Sequence, residues 1–91
     1  MHALAVNVKI DSGREDEARK ELEENVVPRV RQAPGLVAAY WMDVQNGFGY
    51  ALIVFDSEEH ANAAKQMAEG APRPNFLTLN PPQVMAVIAH A

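Results

Sequence analysis

The chain has 91 residues, which is enough for one small domain and too few for a second hydrophobic core. Apolar residues make up 48% of the sequence but aromatic residues only 7%, and alanine is abundant, so the predicted core is light in side-chain volume. The net charge of −4 and the lack of a basic cluster disfavour nucleic acid as a partner, and the absence of cysteine excludes disulfides and thiolate metal sites.

The N-terminal residues differ from a targeting or membrane segment. No basic region precedes the apolar residues, and Asn7 and Lys9 interrupt the apolar stretch. We therefore expect a cytoplasmic protein that has no membrane partner.

The first part of the chain predicts a strand followed by a helix. Larger apolar residues alternate with small or polar ones over residues 3–10, which is the period of a strand. Ser12 and Glu15 have the spacing of a capping box, and an apolar stripe then indicates a helix over residues 14–32. Pro28 lies inside this helix, so we expect a kink or a tightened turn close to it.

Two strands follow the helix and are predicted to form a hairpin over residues 36–44 and 48–55. Asn46 and Gly47 between them are the pair best suited to a type I′ turn of two residues. A regular hairpin around this turn places Trp41 opposite Leu52 and Tyr40 opposite Ile53, and each strand is then apolar on both faces. One face would carry Ala38, Tyr40, Met42, Ala51, Ile53 and Phe55, and the other Val37, Ala39, Trp41, Tyr50, Leu52 and Val54.

The last part of the chain predicts a second helix and a final strand. Asp56 and Glu59 have capping-box spacing, and the helix is expected to continue to about residue 68. Prolines mark a long connection over residues 70–82, and alternating apolar residues indicate a last strand over residues 83–90.

The element order predicts an α+β domain over residues 1–91. A βαββαβ order forms a four-stranded antiparallel sheet with both helices on one face. The opposite face would expose a large apolar patch, so we predict a homodimer whose sheets pack face to face. The candidate interface residues are Val37, Trp41, Tyr50, Leu52 and Val54.

The whole chain resembles the dimeric α+β barrel superfamily, in the group related to antibiotic biosynthesis monooxygenases. The resemblance spans residues 3–90 and rests on the element order, on the Pro-Gly pair after the long helix, on the paired strands LVAAYWMDVQNGFGYALIVF and on the acidic helix start DSEEHANAA. It implies a ferredoxin-like fold that dimerises into an α+β barrel. The superfamily includes cofactor-independent monooxygenases of aromatic substrates, haem-degrading enzymes and members without known activity.

The haem-degrading branch of this superfamily has an Asn in the first strand, which Asn7 matches. It also has a Trp at the end of the third strand and a His on the second helix. Here Phe55 stands at that strand end, and His60 lies in the first turn of the helix. These departures argue against haem degradation, and neither a metal nor a cofactor is expected.

Several residues are candidates for a ligand pocket between the sheet and the helices. Tyr40 and Phe55 could line an aromatic cavity, and Asn7 could present an amide there. His60 could act as a base or a metal ligand, while a packed or rim role is the alternative for a lone histidine. Met67 completes the candidate set. Two functions follow: a cofactor-independent monooxygenase-like enzyme acting on a small aromatic or hydrophobic molecule, or a non-catalytic dimer that binds a ligand or is associated with stress.

Overall fold

Five strands and two helices make up the chain, and the computed structural model describes residues 1–91. The first helix is continuous but changes its winding, so it is divided into α1, a π-helical segment and α2. In chain order the elements are β1 (His2–Ile10), α1 (Glu15–Glu21), the π-helical segment (Leu22–Val26), α2 (Val27–Arg31), β2 (Leu36–Gln45), β3 (Phe48–Phe55), α3 (Glu58–Gly70), β4 (Leu77–Leu79) and β5 (Gln83–Ala86).

The strands form one antiparallel sheet in the order β2-β3-β1-β4, and β5 also pairs with β1. Because β4 and β5 lie end to end along β1, they make up a single broken edge position. The predicted antiparallel α+β fold is therefore confirmed. The last strand, predicted over residues 83–90, ends at Ala86, and an additional short strand, β4, lies within the connection predicted over residues 70–82. Pro81 and Pro82 separate the two pieces, since neither can donate a backbone hydrogen bond to a ladder.

The first helix widens where the sequence predicted a kink or a tightened turn. Leu22–Val26 forms a π-helical turn that ends two residues before Pro28. A proline inside a helix lacks the N–H for the usual bond and its ring collides with the carbonyl four residues earlier. The wider turn accommodates both effects and lets the helix continue to Arg31. At the other end, no side-chain cap is formed: Arg14 occupies the cap position, and the Ser12–Glu15 box is absent.

The hairpin turn has the predicted conformation. Asn46 and Gly47 have φ angles of 54° and 80°, and Gln45 lies opposite Phe48. The register then shifts, because β2 contains one extra residue between Met42 and Gln45. This is a β-bulge, in which two residues of one strand oppose one residue of the other.

The bulge moves Trp41 and Tyr40 to the faces opposite those predicted. Trp41 lies opposite Ala51 and Tyr40 lies opposite Leu52, one position away from the regular hairpin. Trp41 therefore faces the helices, whereas Tyr40 lies on the open face of the sheet. The placement of Trp41 in the dimer interface and of Tyr40 in the pocket was wrong, since a shift of one residue exchanges the two faces of a strand.

The core between sheet and helices consists of two separate clusters. One contains Leu4, Ile53, Phe55 and Ala61, and the other contains Ile10, Ala18 and Phe76. Only 10 of the 91 residues are buried, so the layer between these clusters is incompletely filled.

No helix is both long and apolar enough to cross a membrane.

The open face of the sheet carries large exposed apolar side chains. Tyr40 is 61% exposed, and Tyr50 and Leu52 lie beside it on the neighbouring strand β3. The other large exposed apolar residues on or beside this face are Val37, Met42 and Met85. A surface of this kind marks an interaction site more often than a free surface.

Candidate ligand-binding site

A cleft with two lobes lies between the sheet and the helices. The larger lobe has a volume of about 350 Å³ and the smaller about 160 Å³. Both lobes are lined by Val6, Val26, Trp41 and Ala51, so they meet at these side chains. The larger lobe is within the range of pockets that bind small molecules, roughly 300–1,000 Å³.

The larger lobe has an aliphatic wall and an acidic mouth. Glu21, Glu23 and Asp43 are its acidic lining residues, and Arg19 is its one basic residue. The Arg19 guanidinium lies 2.7 Å from Asp43 Oδ1 and 3.2 Å from Asp16 Oδ1. The hydrogen bond from Arg19 lowers the pKa of the Asp43 carboxyl, and the backbone N–H of Val44 adds to the effect. Since Arg19 is already paired, the mouth as a whole is negative.

The smaller lobe contains three of the predicted pocket residues, together with Arg29. β3 supplies Phe55, α3 supplies His60 and Met67, and α2 supplies Arg29. Phe55 is only 1% exposed and belongs to the core wall, whereas Met67 is 60% exposed at the rim. Arg29 and His60 are the only basic residues that line this lobe, and no acidic residue does.

His60 is held in place at the start of α3 by Asp56. The imidazole Nδ1 lies 2.6 Å from Asp56 Oδ1, across one turn of chain. The hydrogen bond from His60 lowers the pKa of the Asp56 carboxyl, so this group is an acceptor at neutral pH. Since a carboxylate only accepts, Nδ1 carries the hydrogen of this bond, and Nε2 is the ring nitrogen that Asp56 leaves unengaged. A carboxylate fixes the tautomer of functional histidines in the same way.

The backbone around the His60–Asp56 pair is equally well defined. The Ser57 hydroxyl caps α3 by accepting a hydrogen bond of 3.2 Å from the His60 backbone N–H. The Asp56 backbone N–H donates to the Gly35 carbonyl at 2.9 Å. Ser57 is therefore the cap in place of the predicted Asp56, whose side chain is engaged by the imidazole.

Gly35 leaves the space that the His60–Asp56 pair occupies. Its φ angle is +76°, and a Cβ atom built on it would collide with His60 Nδ1 and with Asp56 Oδ1. Both the backbone conformation and the close approach therefore require glycine. The loop between α2 and β2 thus contributes to the geometry of the smaller lobe.

Asn7 lies outside the cleft, which contradicts its predicted place in the pocket. It pairs with Tyr50 across the sheet, on the open face, while its neighbours Val6 and Val8 face the helices. Its side-chain oxygen accepts a hydrogen bond from the Asn80 amide, and its carbonyl accepts one from the Asn80 backbone N–H at 3.1 Å. The strand alternation is regular here, so the error was in the choice of face.

Of the pocket candidates, Phe55, His60 and Met67 line the smaller lobe, and Asn7 and Tyr40 do not. Any role of the three in binding a ligand stays a prediction. Among the interface candidates, Val37, Tyr50 and Leu52 are exposed, Val54 is half-buried, and Trp41 lies in the cleft.

Sequence reasoning missed Arg29, which lines the smaller lobe, and Asp56, which holds His60 there. The spacing of Asp56 and His60, four residues apart at a helix start, is a signal that could have found the pair. Arg29 gave no comparable signal, because its place depends on how the π-helical turn orients α2.

The fold is shared with several solved structures. A heme-degrader from Mycobacterium tuberculosis, MhuD, in a structure with two hemes bound in its active site, superposes with a TM-score of 0.70 at 17% identity, covering 98% of both chains. A mutant of MhuD with two manganese protoporphyrin IX molecules per active site gives a TM-score of 0.75 at 14% identity, covering 100% of this chain and 98% of that one. A dimeric ferredoxin-like protein from an uncultured marine organism gives 0.66 at 15% identity, covering 100% and 98%.

The chain has a ferredoxin-like fold. A protein of unknown function from Nitrosomonas europaea has it too, with a TM-score of 0.70 at 19% identity over 99% of this chain and 91% of that one. No protein-family profile matches the sequence, and no curated protein matches it. The likeness to dimeric α+β barrel proteins is therefore one of fold.

The side chains of the cleft do not fit a haem group, although two of these structures hold haem-type molecules. The larger lobe is lined by no histidine or cysteine, although Met42 and Tyr50 line it, and its mouth is acidic, which opposes haem propionates. His60 lines only the smaller lobe, whose volume of about 160 Å³ is too small for a porphyrin. No group of three or more potential metal-ligating side chains occurs in the chain.

Proposed function

We propose that this protein binds a small hydrophobic or aromatic molecule in the cleft between sheet and helices and acts on it as a cofactor-independent monooxygenase-like enzyme. The observation that supports binding most directly is the two-lobed cleft itself. A wall of valine, alanine and tryptophan side chains gives it an apolar interior, and a few polar groups stand at its two ends. Apolar clefts with a few converging polar groups are the usual form of small-molecule sites.

Trp41 is the residue best placed to hold an aromatic ring. It lines both lobes and lies opposite the small Ala51, which also lines both. Offset or edge-to-face contact with a ligand ring contributes about 0.5–1.5 kcal/mol beyond the burial of area. The MhuD structures, which hold hemes or manganese protoporphyrin IX, support the idea that this fold can enclose planar aromatic molecules.

The binding step is tested through Trp41, since it is the one tryptophan of the chain. Titration with 4-nitroanisole, a small apolar aromatic that quenches indole fluorescence, is expected to give saturable quenching. The Ala51→Phe variant fills the junction of the lobes and is expected to abolish saturation, whereas Ala89→Phe, outside every strand and helix, leaves it unchanged. Quenching that rises linearly without saturation in the unmodified protein contradicts the proposal.

The monooxygenase step is tested separately from binding. In such a reaction a ring methylene becomes a carbonyl: one atom of O₂ enters the product, the other leaves as water, and the substrate supplies all four electrons. With 1,8-dihydroxyanthrone as substrate, the protein is expected to consume oxygen faster than buffer alone does. In Ala51→Phe the rate of oxygen consumption should fall to that of buffer. Saturable binding without such uptake supports the non-catalytic alternative, a ligand-binding module.

We further propose that a second copy of the chain covers the open face of the sheet. The exposed Tyr40, Tyr50 and Leu52 form the centre of this apolar surface, and burying it would stabilise an association by about 25 cal/mol per Å² before the cost of association. The dimeric ferredoxin-like structure with the same fold supports this arrangement. Sedimentation is expected to give twice the chain mass of 10.0 kDa, and a species of single mass at micromolar concentration contradicts it.

A further inference from the structure

Two carboxylates without a counterion stand at the mouth of the larger lobe. Glu21 is the last residue of α1 and Glu23 lies in the π-helical segment, and both line this lobe. The Glu21 carboxylate accepts hydrogen bonds of 2.8 and 2.9 Å from the amide of Asn25, which carries no charge. The carboxylates that pair with a basic residue of the chain are others: Asp16, Glu17, Asp43, Asp56 and Glu58.

Glu21 is half-buried at the border of an apolar wall, since 12 of the 17 residues that line the larger lobe are hydrophobic. A carboxylate with reduced access to water is stabilised by a cation more than by an amide, because a cation adds Coulombic attraction that an amide lacks. The mouth is therefore suited to a positively charged group on a ligand whose remainder is apolar.

The helix that carries the two carboxylates is irregular at this position. Leu22 and Val26, in the same π-helical segment as Glu23, also line the lobe. Short π-helical turns are rare and are frequent at functional sites. Trp41 faces this helix across the cleft, and the face of an indole attracts a cation as well as an aromatic ring. The cleft thus offers contacts to both parts of a hydrophobic cation.

The other charged groups of the cleft do not reverse this polarity. Three carboxylates against the guanidinium of Arg19 give the lining of the larger lobe a net charge of −2, and Arg19 is already held by Asp43 at 2.7 Å. At the smaller lobe Arg29 is exposed to water, and acidic residues stand at or just before the start of α3: Asp56, Glu58 and Glu59. A cleft surrounded by negative charge attracts cations and repels anions.

We propose that the ligands of this cleft are hydrophobic cations, in which an amine or quaternary ammonium group is attached to an apolar body, and that Glu21 and Glu23 recognise the cationic group. This inference rests on the proposed ligand-binding function and deepens it by naming the class of ligand. The ammonium group lies at the mouth of the larger lobe, and the apolar body packs against Trp41. The charge keeps its contact with water there, while the body leaves water.

The test compares three probes that share a nitroaromatic ring and differ in charge. They are the cation 4-nitrobenzyltrimethylammonium, the neutral 4-nitroanisole and the anion 4-nitrophenylmethanesulfonate, each followed by quenching of Trp41. At low ionic strength the cation is expected to bind roughly five- to tenfold tighter than 4-nitroanisole, and the sulfonate weakest, as two partly exposed ion pairs would give. The preference should largely disappear at about 1 M salt, where the screening length falls to about 3 Å, while 4-nitroanisole still binds.

Three variants with the same change in net charge assign the preference to individual residues. Glu21→Gln and Glu23→Gln are each expected to weaken the cation by about two- to fivefold and to leave 4-nitroanisole unaffected. Glutamine keeps an oxygen that can accept from Asn25, so the helix is retained. Glu24→Gln is the matched control, because Glu24 is exposed in the same π-helical segment and lines neither lobe. It should leave the affinity for the cation unchanged.

The outcomes separate this inference from the proposed function. If 4-nitroanisole binds saturably and the cation binds no tighter, or if Glu24→Gln weakens the cation as much as Glu21→Gln and Glu23→Gln do, recognition by these two carboxylates is wrong and the cleft stands. If Ala51→Phe keeps saturable binding of the cation, the cation binds outside the cleft and the inference is wrong. If no probe gives saturable quenching, both proposals fail together.

Discussion

Arg19 donates two hydrogen bonds to Asp43 Oδ1, from Nη2 at 2.7 Å and from Nε at 3.1 Å. The contact joins α1 to the bulge of β2, where Asp43 and Val44 occupy the extra length of the strand. Val44 packs against the cluster of Ile10, Ala18 and Phe76, so both bulge residues are engaged on the helix side of the sheet. The bulge that places Trp41 in the cleft is therefore held by the ion pair of Asp43 with Arg19 and by the apolar contacts of Val44.

Replacing Asp43 with asparagine is expected to reduce stability in a way that depends on pH. The pKa of Asp43 is lowered in the folded protein, so its contribution is present above the ordinary carboxyl pKa of about 3.9 and is lost as the pH falls through the folded value. Urea midpoints should therefore differ between Asp43→Asn and the unmodified protein at pH 7 and converge near pH 2. The effect is small, because both side chains are largely exposed.

Asp11→Asn is the matched control for this experiment, since the Asp11 side chain makes no ion pair. It should leave the midpoint unchanged at both pH values. A difference between Asp43→Asn and the unmodified protein that persists at low pH would assign the effect to something other than the charge.

Gly35→Ala is expected to lower stability and to disturb the His60–Asp56 pair at the same time. The positive φ angle alone costs a non-glycine residue about 1–2 kcal/mol, and the added methyl group also collides with the pair. The free energy of unfolding is measured with urea, and the His60 hydrogen bond is followed through the ¹⁵N shift of Nδ1.

Gly13→Ala separates the two effects. Gly13 has a φ angle of +82°, almost the same as Gly35, but nothing lies within 4 Å of a Cβ atom there. Gly13→Ala should lower the free energy of unfolding only by the cost of the positive φ angle, and it should leave the ¹⁵N shift of His60 Nδ1 unchanged. Equal losses at both glycines would mean that Gly35 plays no part in shaping the lobe.

Tyr40→Glu and Met67→Glu are expected to have opposite consequences. The two side chains are 61% and 60% exposed, but Tyr40 lies on the open sheet face and Met67 lines the smaller lobe. A buried charge in the interface should dissociate the dimer in Tyr40→Glu, with saturable binding of 4-nitroanisole retained. Met67→Glu should weaken binding of the probe by roughly tenfold, from about 1.4 kcal/mol of lost apolar contact, and leave the sedimentation unchanged.

This pair of variants also tests the register of the hairpin. In a regular hairpin without the bulge, Tyr40 would line the cleft and its replacement would affect the probe. Loss of probe binding in Tyr40→Glu, with sedimentation unaltered, would contradict both the register and the proposed interface.

Haem titration is expected to give the same absorption spectrum with the unmodified protein and with His60→Ala. His60 is the only histidine that lines the cleft, its Nδ1 is taken by Asp56, and its lobe has a volume of about 160 Å³. A Soret band of ligated haem that disappears in His60→Ala would show that the smaller lobe opens to take a macrocycle.

The order of elements and the hairpin turn were predictable from the sequence because they depend on local chemistry. The alternation of β1 and the Asn46-Gly47 pair determine their own conformations wherever they occur. The bulge in β2 was not predictable from local sequence, because Arg19, which contacts it through Asp43, lies 24 residues away in the chain. Asp43, an acidic residue within an otherwise apolar strand, was the one local sign of the bulge. Because this sign was missed, Tyr40 was predicted in the cleft and Trp41 on the open face, the reverse of their positions.

The remaining errors have the same origin. The π-helical turn before Pro28 and the break of the edge strand before Pro81 both start from prolines that the sequence displays. The way each backbone relaxes is decided by the elements packed around it, which sequence periodicity does not report. The Asp56–His60 pair was missed because an Asp at a helix start was interpreted as a cap.

The contact between Asn7 and Asn80 is expected to stabilise the broken edge strand without affecting the cleft. Asn80 lies between β4 and β5, and its backbone and side chain both bond to Asn7 on the open face of β1. Asn80→Ala removes the side-chain hydrogen bond from a partly buried site, which should cost about 1 kcal/mol in the free energy of unfolding. Asn75→Ala, at an exposed position in the same connection, should cost little. Saturable quenching of Trp41 by 4-nitroanisole should be the same in both variants. If only Asn80→Ala lost this saturable quenching, the result would indicate that Asn7 and its contact with Asn80 contribute to the binding site after all.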